Sequence, residues 1–441
     1  MYLLLGAALA ILAWGLAYLW RIAPVSAGYK AKVLCSAIFV SQRDIDTDRA
    51  DDISADSYRI LRIFSARVDR ISKTVTVSCF GFRPRTAVYR PGLGATLGCT
   101  DPAVQIAAAV DAADEEIPIV EHPALRRIVE AAFTEPNPRR LRRTRAVVIV
   151  RNGQVVAERY APGFSAQTPL PGWSMTKSVL SALVGILVGE GTLALRDKGL
   201  LPEWTKPDDP RSDITVEDLL RMRSGLEFSE NYADLFSDVN QMLFVRHDSA
   251  AVAAAKPLAW LPGTSWQYSS GSTNLLSVIV RRAVGERDYL GFPRRALFEP
   301  LGMKSAVMEP DAAGTFLASS FMFATARDWA RFGRLYLQEG LWEGRRILPE
   351  GWVRMSVTPT PESPDASYGA HWWLKLQKEL GGETEAAKRI PSDAFFALGH
   401  EGQTLTVIPS RGIVAVRLGL SIYIDAWNHA QFVADLLDAL A

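Results

Sequence analysis

At 441 residues the chain is longer than one ordinary domain, and 49 Lys and Arg against 48 Asp and Glu leave a formal charge of +1. That balance excludes the broad positive field that draws nucleic acid. The three cysteines, Cys35, Cys79 and Cys99, all precede residue 100 and form no CxxC or Cys/His pair, so no metal centre is expected; one disulfide (Cys35 to Cys99 preferred) beside a buried thiol, or three reduced core cysteines, both fit.

In chain order, Tyr2 to Trp20 carries no charge and ends at Arg21. At ~1.5 Å per residue it spans roughly one hydrocarbon core, so residues 1–27 read as a transmembrane anchor, with a cleaved signal peptide ending at Ala27 as the competing reading. Arg21, Lys30 and Lys32 behind the span, taken alone, keep that side cytoplasmic. Residues 28–115 read as a small β-rich extension through "KVLCSAIFV", "ISKTVTVSCF" and "TAVYR", with a glycine-rich turn region at "RPGLGATLGCT" and a boundary near residue 115. The basic run Arg139 to Arg145 is either a solvated loop or a contact for anionic headgroups.

From residue 116 to 441 the pattern changes. "HPALRRIVEAAF" has helical periodicity, and "RAVVIVRNGQVVAERY" is two apolar runs around Asn152-Gly153, a strong hairpin signal. Ser174 to Val188 is apolar on nearly every face and reads as the buried central helix. "TVEDLLRMRSGL" opens on a capping box, "TNLLSVIVRRAVG" and "TARDWARFGRLYLQEG" are further helices, and "TLTVIPSRGIVAVRLGL" returns to strands around a Ser410-Arg411-Gly412 turn before a last helix near Ala426 to Leu440. The order predicts an α+β fold: an antiparallel sheet made from both chain ends and flanked by helices.

The central helix carries the chemistry. Ser174 and Lys177 stand three apart on one face, at a helix start where free N–H groups favour a developing anion. A serine needs a neighbouring base to become nucleophilic, and a lysine serves as one when burial lowers its pKa. Two further stretches place Tyr268 in "QYSSGSTN" and His400, Glu401 and Gly402 in "GHEGQTLTV". No G-x-S-x-G elbow or H-E-x-x-H pattern supports a rival hydrolase.

From about residue 120 onward, "SMTK", "YSS" and "HEG" in that order, with "LLRMRSGL", "FMFATARDWARFG" and "HWWL", resemble the serine β-lactamase and penicillin-binding-protein superfamily, in particular its class C-like esterase and amidase branch that includes 6-aminohexanoate-dimer hydrolase. The resemblance implies a β-lactamase-like sheet with an all-helical subdomain, Ser174 as acylated nucleophile, and Lys177 and Tyr268 sharing proton transfer. The N–H groups of Ser174 and Gln403, after Gly402, would form an oxyanion hole. Ser270 stands where β-lactamases have an asparagine, His400 replaces a lysine, and Tyr232 either lines the acyl pocket or packs. A His400 with an ordinary pKa implies weak attraction for a substrate carboxylate, growing as pH falls.

The expected substrate is therefore a small ester or amide, with penicillins and cephalosporins turned over poorly. A catalytically idle binder of peptidoglycan fragments or of a partner, and a D-Ala-D-Ala carboxypeptidase or β-lactamase, are the alternatives. The scheme needs no cofactor and no nucleic acid. It places the protein at a bacterial-type inner membrane with its catalytic domain in the periplasm, and leaves the oligomeric state open.

Overall fold

The structure, a computed structural model, describes residues 2–46, 50–99, 119–120, 122–206 and 208–441. Helix α1 runs unbroken over Tyr2–Phe39. It is followed by a four-stranded antiparallel sheet in the order β1 (Phe64–Asp69), β2 (Thr74–Cys79), β3 (Phe82–Arg90) and β4 (Gly94–Leu97). After a short helix α2 (Leu125–Ala132), strands β5 (Thr144–Arg151) and β6 (Gln154–Tyr160) turn at Asn152 and Gly153, whose φ values of 47° and 85° are what a two-residue type I′ turn requires.

Strands β7 (Phe395–Gly399), β8 (Gln403–Ile408) and β9 (Ile413–Gly419) complete a five-stranded antiparallel sheet in which β9 pairs with β5, Ile413 opposite Arg151. The sheet is thus built from both ends of this part of the chain, as the sequence predicts. Helices α3 (Met175–Gly189), α4 (Ser270–Val284) and α5 (Ala326–Leu337) lie on its core side, and α6 (His429–Ala439) packs with α2 on the other. The capping box at Thr215 is present, its side chain accepting from the Asp218 N–H while Asp218 returns the bond.

Four expectations are corrected. "KVLCSAIFV" is not a strand but the second half of α1. Residues 22–28 and most of those up to 41 are buried, so the run has no amphipathic period by which to tell helix from strand. Tyr2–Trp20, expected as a transmembrane anchor, is the first half of the same helix, with Tyr2, Leu4, Trp14 and Trp20 exposed, and among the described residues no helix is long and apolar enough to cross a membrane. Cys35 faces the β1–β4 sheet as a buried thiol in one core with Cys79, not as half of a disulfide. Gly94–Leu97, read as turn, is strand β4. The boundary near residue 115 falls outside the described residues.

The basic run is an exposed loop at Arg139 and Arg140, but its second half is drawn into the structure. Arg145 makes a bidentate pair with Asp52 at 2.8 and 2.9 Å, and Arg143 meets Asp56 at 2.6 Å. Acids after α1 therefore neutralise bases at the start of β5. Burial works to raise the Asp52 carboxyl, but Arg145 and Arg43 overcome it and hold the group down at about 2. Deeper in, Lys32 of α1 meets Glu309 at 2.5 Å, and Glu309 also accepts from Ser36 Oγ at 2.8 Å and from the Ala95 N–H at 2.7 Å. The N-terminal unit is thereby fastened into the larger one by buried charge as well as apolar packing.

Candidate active site

Met175 to Leu187 of α3 are all buried. Each fully buried Val, Leu or Ile contributes about 1.5–3 kcal/mol, a surplus that offsets the cost of desolvating Lys177 at the same helix's head. Ser174 is the N-cap residue, yet its side chain makes no capping hydrogen bond. Its hydroxyl instead accepts from Lys177 Nζ at 2.9 Å.

Lys177 Nζ also donates to Ser270 Oγ at 3.1 Å and to the main-chain oxygen of Ser319 at 2.9 Å, and it lies 4.8 Å from the centroid of the Tyr268 ring. Burial lowers its pKa to about 8, while the charge of Glu230 pulls the other way. Tyr268 is pushed well above its ordinary value by burial and by Glu230, and a hydrogen bond with Ser174 holds it back. The structure thus brings Ser174, Lys177, Tyr268 and Ser270 into one cluster around the Lys177 ammonium.

Glu230 is a member that the sequence reading missed. Its carboxylate accepts from the Ser270 N–H at 2.7 Å and from Ser270 Oγ at 2.5 Å. Burial raises its pKa, against the charge of Lys177 and the Ser270 bonds. The signal in the sequence was one of two acids, the other being Asp234, in the aromatic loop Phe228–Phe236 that also holds Tyr232. His371, on the far side of α3, donates Nδ1–H to the main-chain oxygen of Lys177 at 2.9 Å, and burial takes its pKa down to about 3, so it is a neutral strut.

A second cluster forms at the turn between β7 and β8. Glu401 and Gly402 have φ values of 63° and 79°. A side chain on Gly402 would strike Arg417, which donates to the Gly402 carbonyl at 2.7 Å, and one on Gly399 would strike the Gly172 carbonyl two residues before Ser174. Those two glycines let the turn approach the head of α3. Gln403 spends its amide side chain on β9, donating to the Gly419 carbonyl at 2.7 Å and accepting the Gly419 N–H at 2.9 Å, so only its main chain is left for a ligand.

His400 stacks on Tyr232, ring centroids 5.0 Å apart, and stands edge-on to Trp173 at 5.2 Å. Burial lowers its pKa to about 4, which corrects the expectation of an ordinary histidine that gains charge as pH falls toward 6. Tyr232 is therefore packed against a neutral ring, and its own hydroxyl is pushed well up by burial and by Glu230. Among the described residues no group of His, Cys, Asp and Glu is arranged to hold a metal ion. The surface cleft of about 780 Å³ that includes Glu339, Arg354 and Asp393 is bordered by none of these residues.

With this geometry in view, the Beta-lactamase family model matches residues 127–419. The chain is 29% identical to 6-aminohexanoate-dimer hydrolase of Paenarthrobacter ureafaciens over 300 residues, covering 62% of this chain and 72% of that one. Among solved structures, a penicillin-binding protein homologue from Caulobacter crescentus superposes with a TM-score of 0.56 at 19% identity, covering 74% of this chain and all of that one. A penicillin binding protein from Bacillus halodurans gives 0.53 at 16% identity, with 72% and 100% covered. These two share the fold.

Proposed function

The chain belongs to the β-lactamase family of serine hydrolases, and from that premise we propose that it cleaves small esters or amides through an acyl-enzyme on Ser174. The observation that carries the reading is Lys177 Nζ, buried and 2.9 Å from Ser174 Oγ, with its pKa lowered to about 8. A lysine so placed is neutral in a useful fraction of molecules near neutral pH, and can take the serine proton as Oγ attacks the carbonyl carbon. Tyr268, kept protonated by its raised pKa, passes the proton on to the leaving oxygen or nitrogen as the C–O or C–N bond breaks. Water then attacks the acyl-serine by the reverse relay. The main-chain N–H groups of Ser174 and Gln403 are the donors assigned to the oxyanion.

Support for ester and amide substrates comes from the similarity to 6-aminohexanoate-dimer hydrolase and from the neutral His400, which offers no cation to a substrate carboxylate. The test is a panel of short p-nitrophenyl esters, linear amides, D-Ala-D-Ala peptides and nitrocefin, run beside fluorophosphonate labelling. Labelling confined to Ser174 with turnover of esters or linear amides is the expected outcome. Absence of any labelling would return the protein to the class of idle binders, and rapid nitrocefin turnover would make it a β-lactamase instead.

A further inference from the structure

A hydroxyl of the N-terminal unit reaches the site. Tyr58, in the short helical turn Asp56–Ile63 that precedes β1, donates to Glu401 Oε1 at 2.8 Å, and its oxygen is 3.5 Å from His400 Nε2. The other carboxylate oxygen, Glu401 Oε2, accepts the indole N–H of Trp173 at 3.0 Å. One buried carboxylate therefore joins three segments: the N-terminal unit, the residue immediately before Ser174, and the turn that leads into Gln403. Resting on the acyl-enzyme reading above, we propose that Tyr58 is a positioning residue, which through Glu401 fixes the Trp173–Ser174 peptide and the His400–Gln403 turn in register, so that the N-terminal unit completes the oxyanion-binding geometry.

The backbone shows why a clamp is needed. Trp173 has φ 48° and Glu401 φ 63°, left-handed conformations that bulky residues adopt only when their surroundings impose them, at a cost of about 1–3 kcal/mol each. The bond between the two side chains ties these strained residues to each other, and Tyr58 supplies the second donor that the carboxylate needs in a buried place. Glu401 is 6% exposed and Trp173 3%. Burial pushes the Glu401 carboxyl up to about 7, and the hydrogen bond from Tyr58 and the charge of Arg145 work against that rise to keep the group an acceptor.

Tyr58 is itself held. Its ring lies 5.1 Å from that of Tyr29 on α1, and its segment is docked by the Asp52–Arg145 and Asp56–Arg143 pairs.

The experiment compares wild type, Tyr58→Phe, Glu401→Ala and the double variant, with p-nitrophenyl ester kinetics and the rate of fluorophosphonate labelling at Ser174, both normalised to folded protein by a circular-dichroism melt. Misplacing an oxyanion donor costs roughly ten- to hundredfold in rate. Tyr58→Phe should lower kcat by about tenfold at a KM within about twofold of wild type, Glu401→Ala should cost at least as much, and the double variant should cost no more than Glu401→Ala, since the two side chains act through one contact. Wild-type kcat in Tyr58→Phe, a loss confined to KM, or losses that multiply in the double variant would each overturn the inference alone. A wild-type Ser174 that takes up no probe overturns the acyl-enzyme reading and the inference with it.

Discussion

Lys32 and Lys177, two of the lysines buried on the apolar helices α1 and α3, differ in where their nearest carboxylate stands. Lys32 of α1 meets a carboxylate directly, Glu309 at 2.5 Å, and so joins two units of the fold by a closed ion pair. Among the described residues Lys177 of α3 donates to neutral oxygens, those of Ser174, Ser270 and Ser319, and its acid, Glu230, stands one residue away behind Ser270. Direct pairing holds the Lys32 side chain in place as a tie between units. Pairing at one remove leaves burial to dominate and puts the lysine at about 8, where it can give and take a proton. The same residue type on the same kind of helix is structural in one place and reactive in the other because of where the carboxylate stands.

Removing each lysine should separate the two roles most sharply. Lys177→Ala is expected to lower kcat/KM for esters by about 10² to 10⁴, measured by steady-state kinetics. Its melting point should be no lower than wild type: a base whose folded pKa lies below its unfolded value costs stability below about pH 8, and that cost disappears with the side chain. Lys32→Ala should do the opposite, costing about 3–5 kcal/mol in denaturant unfolding because Glu309 is left buried and unpaired, while the folded fraction still labels at Ser174. If Lys32→Ala abolished labelling of folded protein, or Lys177→Ala left turnover intact, the contrast would collapse.

The acids give a smaller and more diagnostic effect. With Lys177 near 8, kcat/KM should rise with pH through that value as the lysine loses its proton. Glu230 raises the lysine's pKa, so Glu230→Gln should move this limb to lower pH, whereas Glu309→Gln should weaken the fold and leave the limb in place. A pH–rate profile of each variant decides it, and an unmoved limb in Glu230→Gln would show that another group sets the profile.

The smallest effect concerns His400. Held near 4 by burial, it stays neutral across the working range, so the ratio of kcat/KM for carboxylate-bearing and neutral esters should be flat between about pH 5.5 and 7.5. A ratio that climbs as pH falls would mean that the ring becomes charged in the slot between Tyr232 and Trp173.

Much of the larger unit was legible because its signals are local. Asn152-Gly153 dictates a turn, the unbroken apolar run after Ser174 dictates a buried helix, and a serine and lysine three apart share a face wherever that helix lies. What could not be read depends on distant partners. Glu230 gains its meaning only when Ser270 arrives from another segment, and Tyr58 only when Glu401 does. Arg143 and Arg145 could not be told from their exposed neighbours Arg139 and Arg140, because the acids that neutralise them, Asp56 and Asp52, lie across a stretch of chain whose folding no local pattern announces. Gly28–Phe39 misled for a different reason: burial on nearly all sides erases the periodicity that distinguishes a helix from a strand.

The pairing of β5 with β9 has a consequence for how the molecule is made. On the ribosome, β5 and β6 emerge early as a lone hairpin, too small to be stable in water, and the apolar α3 follows with no sheet to cover it. The strand that flanks β5 is among the last synthesised. Ordering the sheet therefore waits on a contact spanning most of the chain, which is slow to form and leaves apolar surface open to aggregation in the interval. Chains shortened before Ile413 should accumulate as chaperone clients rather than as weakened enzymes, and refolding from denaturant should be limited by closure of this one strand pair.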